Sequence, residues 1–141
     1  MAFENRRTIK IAWGDCDAAG IVFYPKYFEM FDECTTELFA EAGFHMRESA
    51  ERSDFVGWPM IETSANFKKS SRYGDHISIV SRITSWRNTS FFVEHTVLRG
   101  EELCIVAKEH RVWAVRGEDG QLRAARAPDE IITKMCAETA A

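Results

Sequence analysis

Polar and apolar residues alternate through Thr8-Ile9-Lys10-Ile11-Ala12-Trp13, the two-residue period of a short strand. A loop bracketed by Gly14 and Gly20 follows, and then the period changes. Pro25 suits the first turn of a helix, where a missing N–H costs nothing. From there Tyr27, Phe28, Phe31, Cys34, Thr35, Leu38, Phe39 and Ala42 recur at helical spacing until Gly43 stops the run. The spacing predicts a helix of about five turns with a wide apolar face, the central one of the fold. His45 to Asp54 is polar and carries no clear period. Beyond Pro59 the strand pattern returns in Met60–Lys69, His76–Trp86, Ser90–Arg99 and Leu103–Val115. Tyr73-Gly74-Asp75 marks a turn, and Arg87-Asn88-Thr89 and Gly100-Glu101-Glu102 are hairpin connections. Pro128-Asp129-Glu130 opens a short C-terminal helix.

Within these strands Phe91, Val93 and Val97 point one way, and Phe92, Thr96 and Leu98 the other. Leu103, Ile105 and Ala107 oppose Cys104, Val106 and Val112 in the same manner. Both faces of the sheet are thus partly apolar, while one long helix covers only one of them. The expectation is an oligomer in which a partner covers a face or an edge. At 141 residues, without repeats or linkers, the chain reads as one domain, 1–141.

Composition narrows the function by exclusion. A net charge of −4 argues against a dedicated nucleic-acid binder, while leaving room for a local cluster of Lys and Arg around a small anion. Cys16, Cys34, Cys104 and Cys136 are far apart and form no CxxC pair, so they fit free thiols in a reducing compartment. No apolar stretch approaches the roughly 18 residues of a membrane span, and no apolar segment follows the basic Arg6-Arg7. A cytoplasmic protein is expected.

The chemistry concentrates in Trp13-Gly14-Asp15-Cys16-Asp17-Ala18-Ala19-Gly20-Ile21-Val22-Phe23-Tyr24-Pro25. Two carboxylates sit in a small-residue loop just ahead of a helix start, where unpaired N–H groups and the positive dipole end are found. An acid beside such an end can attack a carbonyl and have the resulting oxyanion held, which points to acyl chemistry. The plainer reading of Asp17 is a cap of a turn or of the coming helix, and that of Asp15 a cap or brace for the loop. Cys16 lies between two acids, which disfavour its thiolate, and reads as a packing residue. No further acidic ligand or His adjoins Asp15 and Asp17, so no metal site is expected. His95 and His110 lie within strands, as core or interface residues, and His45 and His76 near turns. With no His between Gly14 and Tyr24, a His-dependent dehydratase is disfavoured.

The segment Gly14-Asp15-Cys16-Asp17-x-Ala19-Gly20-Ile21-Val22-x-Tyr24-Pro25-x-Tyr27 resembles the 4-hydroxybenzoyl-CoA thioesterase family. Weaker similarity extends through Val56-Gly57-x-Pro59, Phe67, Tyr73-x-Asp75, Trp86-Arg87 and Ser90-Phe91. The resemblance implies an α+β hot-dog fold, an antiparallel sheet wrapped around one long helix. It implies hydrolysis of an acyl-CoA, with Asp17 as nucleophile or general base and the Tyr24 N–H polarising the thioester oxygen. It places Asp32 near the para-hydroxyl of an aromatic acyl group, with Phe23 and Trp58 also on the substrate. Trp58 is larger than the family's residue there and would reshape the acyl pocket. Arg87 alone remains of a basic run that meets CoA phosphates, with Lys68, Lys69 and Arg72 as further phosphate partners or a solvated strand end. No cofactor is implied, because CoA arrives as part of the substrate. Dimers that pair into tetramers, with active sites shared across the dimer interface, are implied as well. Two other readings are a short-chain aliphatic acyl-CoA thioesterase and a non-catalytic acyl-CoA-binding subunit.

Overall fold

The computed structural model of the protein describes residues 3–135; Cys136 lies outside them. Strand β1 (Glu4–Lys10) leads through a short 3-10 turn, Trp13–Asp15, into helix α1 (Tyr24–Glu41) and a second helix, α2 (Met46–Arg52). Strands β2 (Phe55–Gly57), β3 (Met60–Phe67), β4 (His76–Trp86), β5 (Ser90–Arg99), β6 (Glu102–Val112), β7 (Ala114–Arg116) and β8 (Leu122–Ala124) follow, and α3 (Asp129–Met135) ends the described chain. Five strands form an antiparallel sheet in the order β1-β4-β5-β6-β3, and β2-β7-β8 form a small second sheet.

The expected central helix is present, beginning one residue before Pro25. Its end follows from Gly43, which adopts φ 95°. The Gly43 N–H bonds the Ala40 carbonyl at 2.9 Å, and the Phe44 N–H reaches back to the Phe39 carbonyl at 2.8 Å, the paired bonds of a Schellman stop. The first strand runs earlier than its Thr8–Trp13 pattern suggests, because Ile11 leaves the ladder to bury itself. The unassigned polar stretch contains α2, whose Glu48–Arg52 and Arg47–Glu51 pairs lie one turn apart. The short β2 and β8 had no pattern long enough to mark them, and the last predicted strand breaks after Val112 into β6 and β7.

One side assignment is corrected. Val97 pairs with Ile105 while Leu98 pairs with Leu103, so Cys104 is an extra residue in the ladder. This bulge turns Cys104 into the core and leaves Leu103 38% exposed, the reverse of simple alternation.

Helix α1 buries Tyr27, Phe31, Cys34, Thr35, Leu38 and Phe39 against the sheet. The apolar contacts fall into two clusters. Ile77, Ile79, Val97, Ile105 and Ala107 surround Phe31 and Cys34, whereas Ile83, Phe91, Val93, Trp58 and Trp113 surround Leu38 and Phe39. Between the clusters runs a belt of buried polar side chains. The Thr35 hydroxyl donates to Glu109 Oε1 at 2.7 Å, and His95 Nε2 lies 3.2 Å from Glu109 Oε2. His95 Nδ1 meets the Ser81 hydroxyl at 2.7 Å, and Arg111 Nε donates to Glu109 Oε1 at 2.8 Å. His95 thus belongs to the core, one of its two expected settings.

Burial alone would raise the Glu109 pKa, but hydrogen bonds and charge from His95 and Arg111 overcome it and hold the carboxyl at about 2. A carboxyl depressed below its unfolded range adds stability that is present at neutral pH and lost as the pH falls through the folded value. Denaturant titrations should therefore show stability dropping between about pH 4.5 and 2, by a few kcal/mol from this group. Glu109→Gln should abolish that slope component and, by stranding buried Arg111, destabilise the protein by about 3–5 kcal/mol at neutral pH. Phe31→Ala, which empties a fully buried site between helix and sheet, should cost about 3–5 kcal/mol in the same assay without changing the pH slope.

Candidate active site

The loop ahead of α1 folds as a small antiparallel arm. The Asp17 N–H bonds the Ile21 carbonyl at 3.0 Å and the Phe23 N–H bonds the Asp15 carbonyl at 2.8 Å, with Cys16 and Val22 bridged between them. Its tip is a tight turn closed by the Gly20 N–H on the Asp17 carbonyl at 2.9 Å. Gly20 sits there at φ 83°, a conformation that side chains resist. Alternation along the arm sends Cys16 and Val22 inward and leaves Asp17 exposed opposite Ile21.

The two acids have different tasks. Asp15 Oδ2 accepts the Ala12 N–H at 2.9 Å, bracing the entry to the loop. Asp17 Oδ1 accepts the Ala19 N–H at 2.8 Å, so the turn-capping reading is correct as far as it goes. Asp17 Oδ2 has no hydrogen bond among the described residues, and the turn fixes the direction in which this oxygen points.

The helix start beyond the arm is uncapped. Its N-cap residue is Phe23, which has no side-chain oxygen to offer the first turn, and Pro25 removes one N–H outright. The Lys26 N–H turns back to the Phe23 carbonyl at 2.8 Å, while the Tyr24 N–H has no partner among the described residues. Beside it lies a cavity of about 220 Å³ lined by Ile21, Val22, Tyr24, Tyr27, Phe67 and the run Lys68-Lys69-Ser70. The cavity thus joins the Tyr24 end of the helix, apolar walls and two lysines; Asp17 lies on the adjoining arm and is not part of its lining.

The far wall is pinned by Arg99. Its Nη1 donates to the Ser70 carbonyl at 2.7 Å and to the Ser71 hydroxyl at 2.8 Å, and its Nη2 to Glu102 at 2.6 Å. The Ser71 carbonyl in turn accepts the Val22 N–H at 3.0 Å, and Ile21 bridges to Arg72. Arm and wall therefore share one set of backbone bonds.

Other expected site residues fall at different places. Lys68 and Lys69 line the cavity, with Lys69 3.8 Å from Glu102. Phe23 is 47% exposed and packs edge-to-face on Tyr24. Asp32 lies eight residues beyond Tyr24 on α1, its Oδ1 held by Arg111 Nη2 at 2.8 Å. Arg72 is exposed beside the arm. Arg87 stacks over Phe92, 5.0 Å from the ring centre, bordering a separate cavity with Thr84, Glu94 and Lys108. The Trp58 indole is buried in the core, 4.3 Å from the Phe39 ring and packed with Phe44, Phe55 and Trp113, and, like Asp17 and Asp32, it is not in the cavity lining. Four aromatic rings there offer the indole more contact than an open groove would. Cys16, Cys34 and Cys104 are absent from the cavity lining. Burial pushes Cys34 up to about 11, and Cys16 Sγ lies 3.8 Å from the Ala12 carbonyl.

Sequence reading missed Glu109 and Arg111. The available signal was their phase, since Ile105, Ala107, Glu109, Arg111 and Trp113 share the parity of one strand face. Two charges on an apolar face imply a buried pair. No cluster of three metal-ligating side chains occurs among the described residues, and no helix there is long and apolar enough to cross a membrane.

The 4-hydroxybenzoyl-CoA thioesterase of Pseudomonas sp. (strain CBS-3) is 35% identical over 130 residues, 87% of this chain and 91% of that protein. The acyl-CoA thioester hydrolase YbgC of Escherichia coli is 24% identical over 72% of this chain and 79% of its own length. Among solved structures, a D17N mutant of 4-hydroxybenzoyl-CoA thioesterase complexed with 4-hydroxybenzoyl-CoA superposes with a TM-score of 0.86 at 32% identity, covering 95% of this chain and 99% of that one. A gentisyl-coenzyme A thioesterase superposes at 0.82 with 28% identity, over 94% and 100% of the two chains. The fold is thus the expected hot-dog, an antiparallel sheet around one long helix. The model of the thioesterase-like superfamily matches residues 11–135, and the chain belongs to that family.

Proposed function

We propose that this protein hydrolyses an aromatic acyl-CoA, a hydroxybenzoyl thioester by preference, to the free acid and CoA, with Asp17 as the catalytic carboxylate. That it is an acyl-CoA thioester hydrolase rests on its family and on relatives that bear that name. The observation that carries the finer reading is that one short hydrogen-bonded arm holds Asp17 with an unengaged oxygen and leads directly into the uncapped helix start at Tyr24.

The chemistry follows from that arrangement. A thioester whose carbonyl oxygen accepts the Tyr24 N–H is polarised by the amide and the positive helix end. One such donor contributes on the order of 3 kcal/mol to the tetrahedral state. Asp17 then attacks the carbonyl carbon directly, expelling CoA thiolate and leaving a mixed anhydride for water to open. Alternatively it takes a proton from a water that attacks in its place, with the same products. Lys68 and Lys69 offer charge to CoA phosphates, and Arg72 and Arg87 extend that offer beyond the cavity.

Asp32 supports the aromatic preference. It lies on the order of 12 Å along the helix from Tyr24. A para-hydroxylated benzoyl group with a hydrogen bond at each end spans a similar length. A carboxylate that accepts the hydroxyl, once substrate covers it, penalises acyl groups lacking one.

The site is open in a single chain. Strand β3 is an unpaired sheet edge carrying exposed Met60, Ile61 and Phe67, and Phe23 and Tyr24 are exposed near it through Phe28 and Phe67. A second copy along this edge would cover those residues and bring its own groups to the site, as the proposed homo-oligomer requires.

Steady-state hydrolysis of 4-hydroxybenzoyl-CoA, benzoyl-CoA and a short aliphatic acyl-CoA tests the assignment. The hydroxylated substrate should have the highest kcat/KM, and Asp17→Asn should lower kcat by about a hundredfold or more at unchanged thermal stability. Preference for the aliphatic thioester would overturn the aromatic reading while keeping Asp17, and binding without turnover would make the protein an acyl-CoA binder. In a single turnover in labelled water, label found in the Asp17 carboxylate establishes the mixed anhydride, since the general-base route puts label only in the product acid. Sedimentation should give a species of at least two chains, which Ile61→Lys on the free edge shifts toward the monomer.

A further inference from the structure

We propose that Arg111 is a positioning residue for acyl-group selection, a buried fork that holds the Asp32 carboxylate in one orientation; this rests on the reading of Asp32 as the hydroxyl acceptor. The guanidinium is 4% exposed and its other donors are committed inside the protein, Nε to Glu109 at 2.8 Å and Nη1 to the Trp58 carbonyl at 3.0 Å. Only Nη2 reaches the surface, where it donates to Asp32 Oδ1 at 2.8 Å.

The pair is lopsided in a way that assigns its purpose. The Arg111 side chain is 4% exposed and that of Asp32 68%. Glu109 already neutralises Arg111 within the core, so the arginine does not need Asp32 for charge balance. A pair with one so exposed partner also adds little to folding. What Arg111 does give is order. A free aspartate on a helix surface samples several rotamers and loses that freedom on binding a ligand. Here Oδ1 is occupied by a donor anchored at two buried points, so Oδ2 presents itself at a fixed place beside the helix. An arginine can do this because its donors form a rigid plane; the ammonium of a lysine cannot serve three separated acceptors at once.

The test is the ratio of kcat/KM for 4-hydroxybenzoyl-CoA to that for benzoyl-CoA in wild type, Arg111→Lys, Asp32→Asn and the double variant. Any general loss of folding or activity lowers both values and cancels in the ratio. Arg111→Lys should lower the ratio about tenfold, toward that of Asp32→Asn, and the double variant should fall no further than Asp32→Asn alone. If Arg111→Lys fails to fold, the pair Glu109→Gln with Arg111→Gln replaces the buried charges together and should show the same fall. A wild-type ratio in a folded Arg111 variant, with a collapsed ratio in Asp32→Asn, would overturn the positioning role and leave Asp32 as acceptor. An unchanged ratio in Asp32→Asn would instead sink the acceptor reading, and the proposal with it.

Discussion

The interaction on which the rest of this structure depends is the burial of Glu109. An ionised carboxylate between a helix and a sheet is tolerated only with every lone pair engaged, and here Thr35, His95 and Arg111 supply the contacts. Those three come from α1, β5 and β6, so satisfying one group fixes the helix against the sheet along its axis and about it. Apolar packing alone would not do this. Phe31 and Leu38 belong to different clusters, each of which would accept a shifted helix at modest cost. The polar belt between them admits a single register.

That register matters to the proposed site because α1 carries several of its groups. Its first turn presents the Tyr24 amide, its middle presents Asp32, and its last half serves the core through Leu38 and Phe39. The arm bearing Asp17 is tied to the sheet through Val22 in the core cluster and through Ser71 and the arginine that pins it. Both halves of the site are consequently tied to β5 and β6, where Arg99 ends one strand and Glu109 and Arg111 sit on the other. Movement of α1 relative to these strands would alter the carboxylate-to-amide geometry and the placement of Asp32 together.

Much of this was legible in the sequence, for identifiable reasons. The long helix was marked by eight positions at its spacing, all but Thr35 apolar, and by Gly43, and the main strands by alternation and hairpin residues. The acid pair and the helix start stand out because they are adjacent in sequence, while the choice of Asp17 and Tyr24 among them comes from the family resemblance. What alternation could not show was the extra residue at Cys104, which depends on the pairing with β5. Nor could it show the setting of Trp58, which is decided by Phe39, Phe55 and Trp113 from three other parts of the chain. The Arg111–Asp32 contact joins residues 79 apart, and no local pattern encodes such a distance.

The same reasoning explains why the belt contains charges at all. Replacing Glu109 and Arg111 with apolar residues would merge the two clusters and, by the usual balance of desolvation against attraction, would not weaken the fold. An apolar core, however, has nothing with which to grip a surface carboxylate. A guanidinium reaching from the core to the helix surface needs an internal counter-charge, Glu109 provides it, and Thr35 and His95 complete the lone pairs that Arg111 leaves over. Under the proposed role of Arg111, the buried cluster is the support that a rigid Asp32 requires.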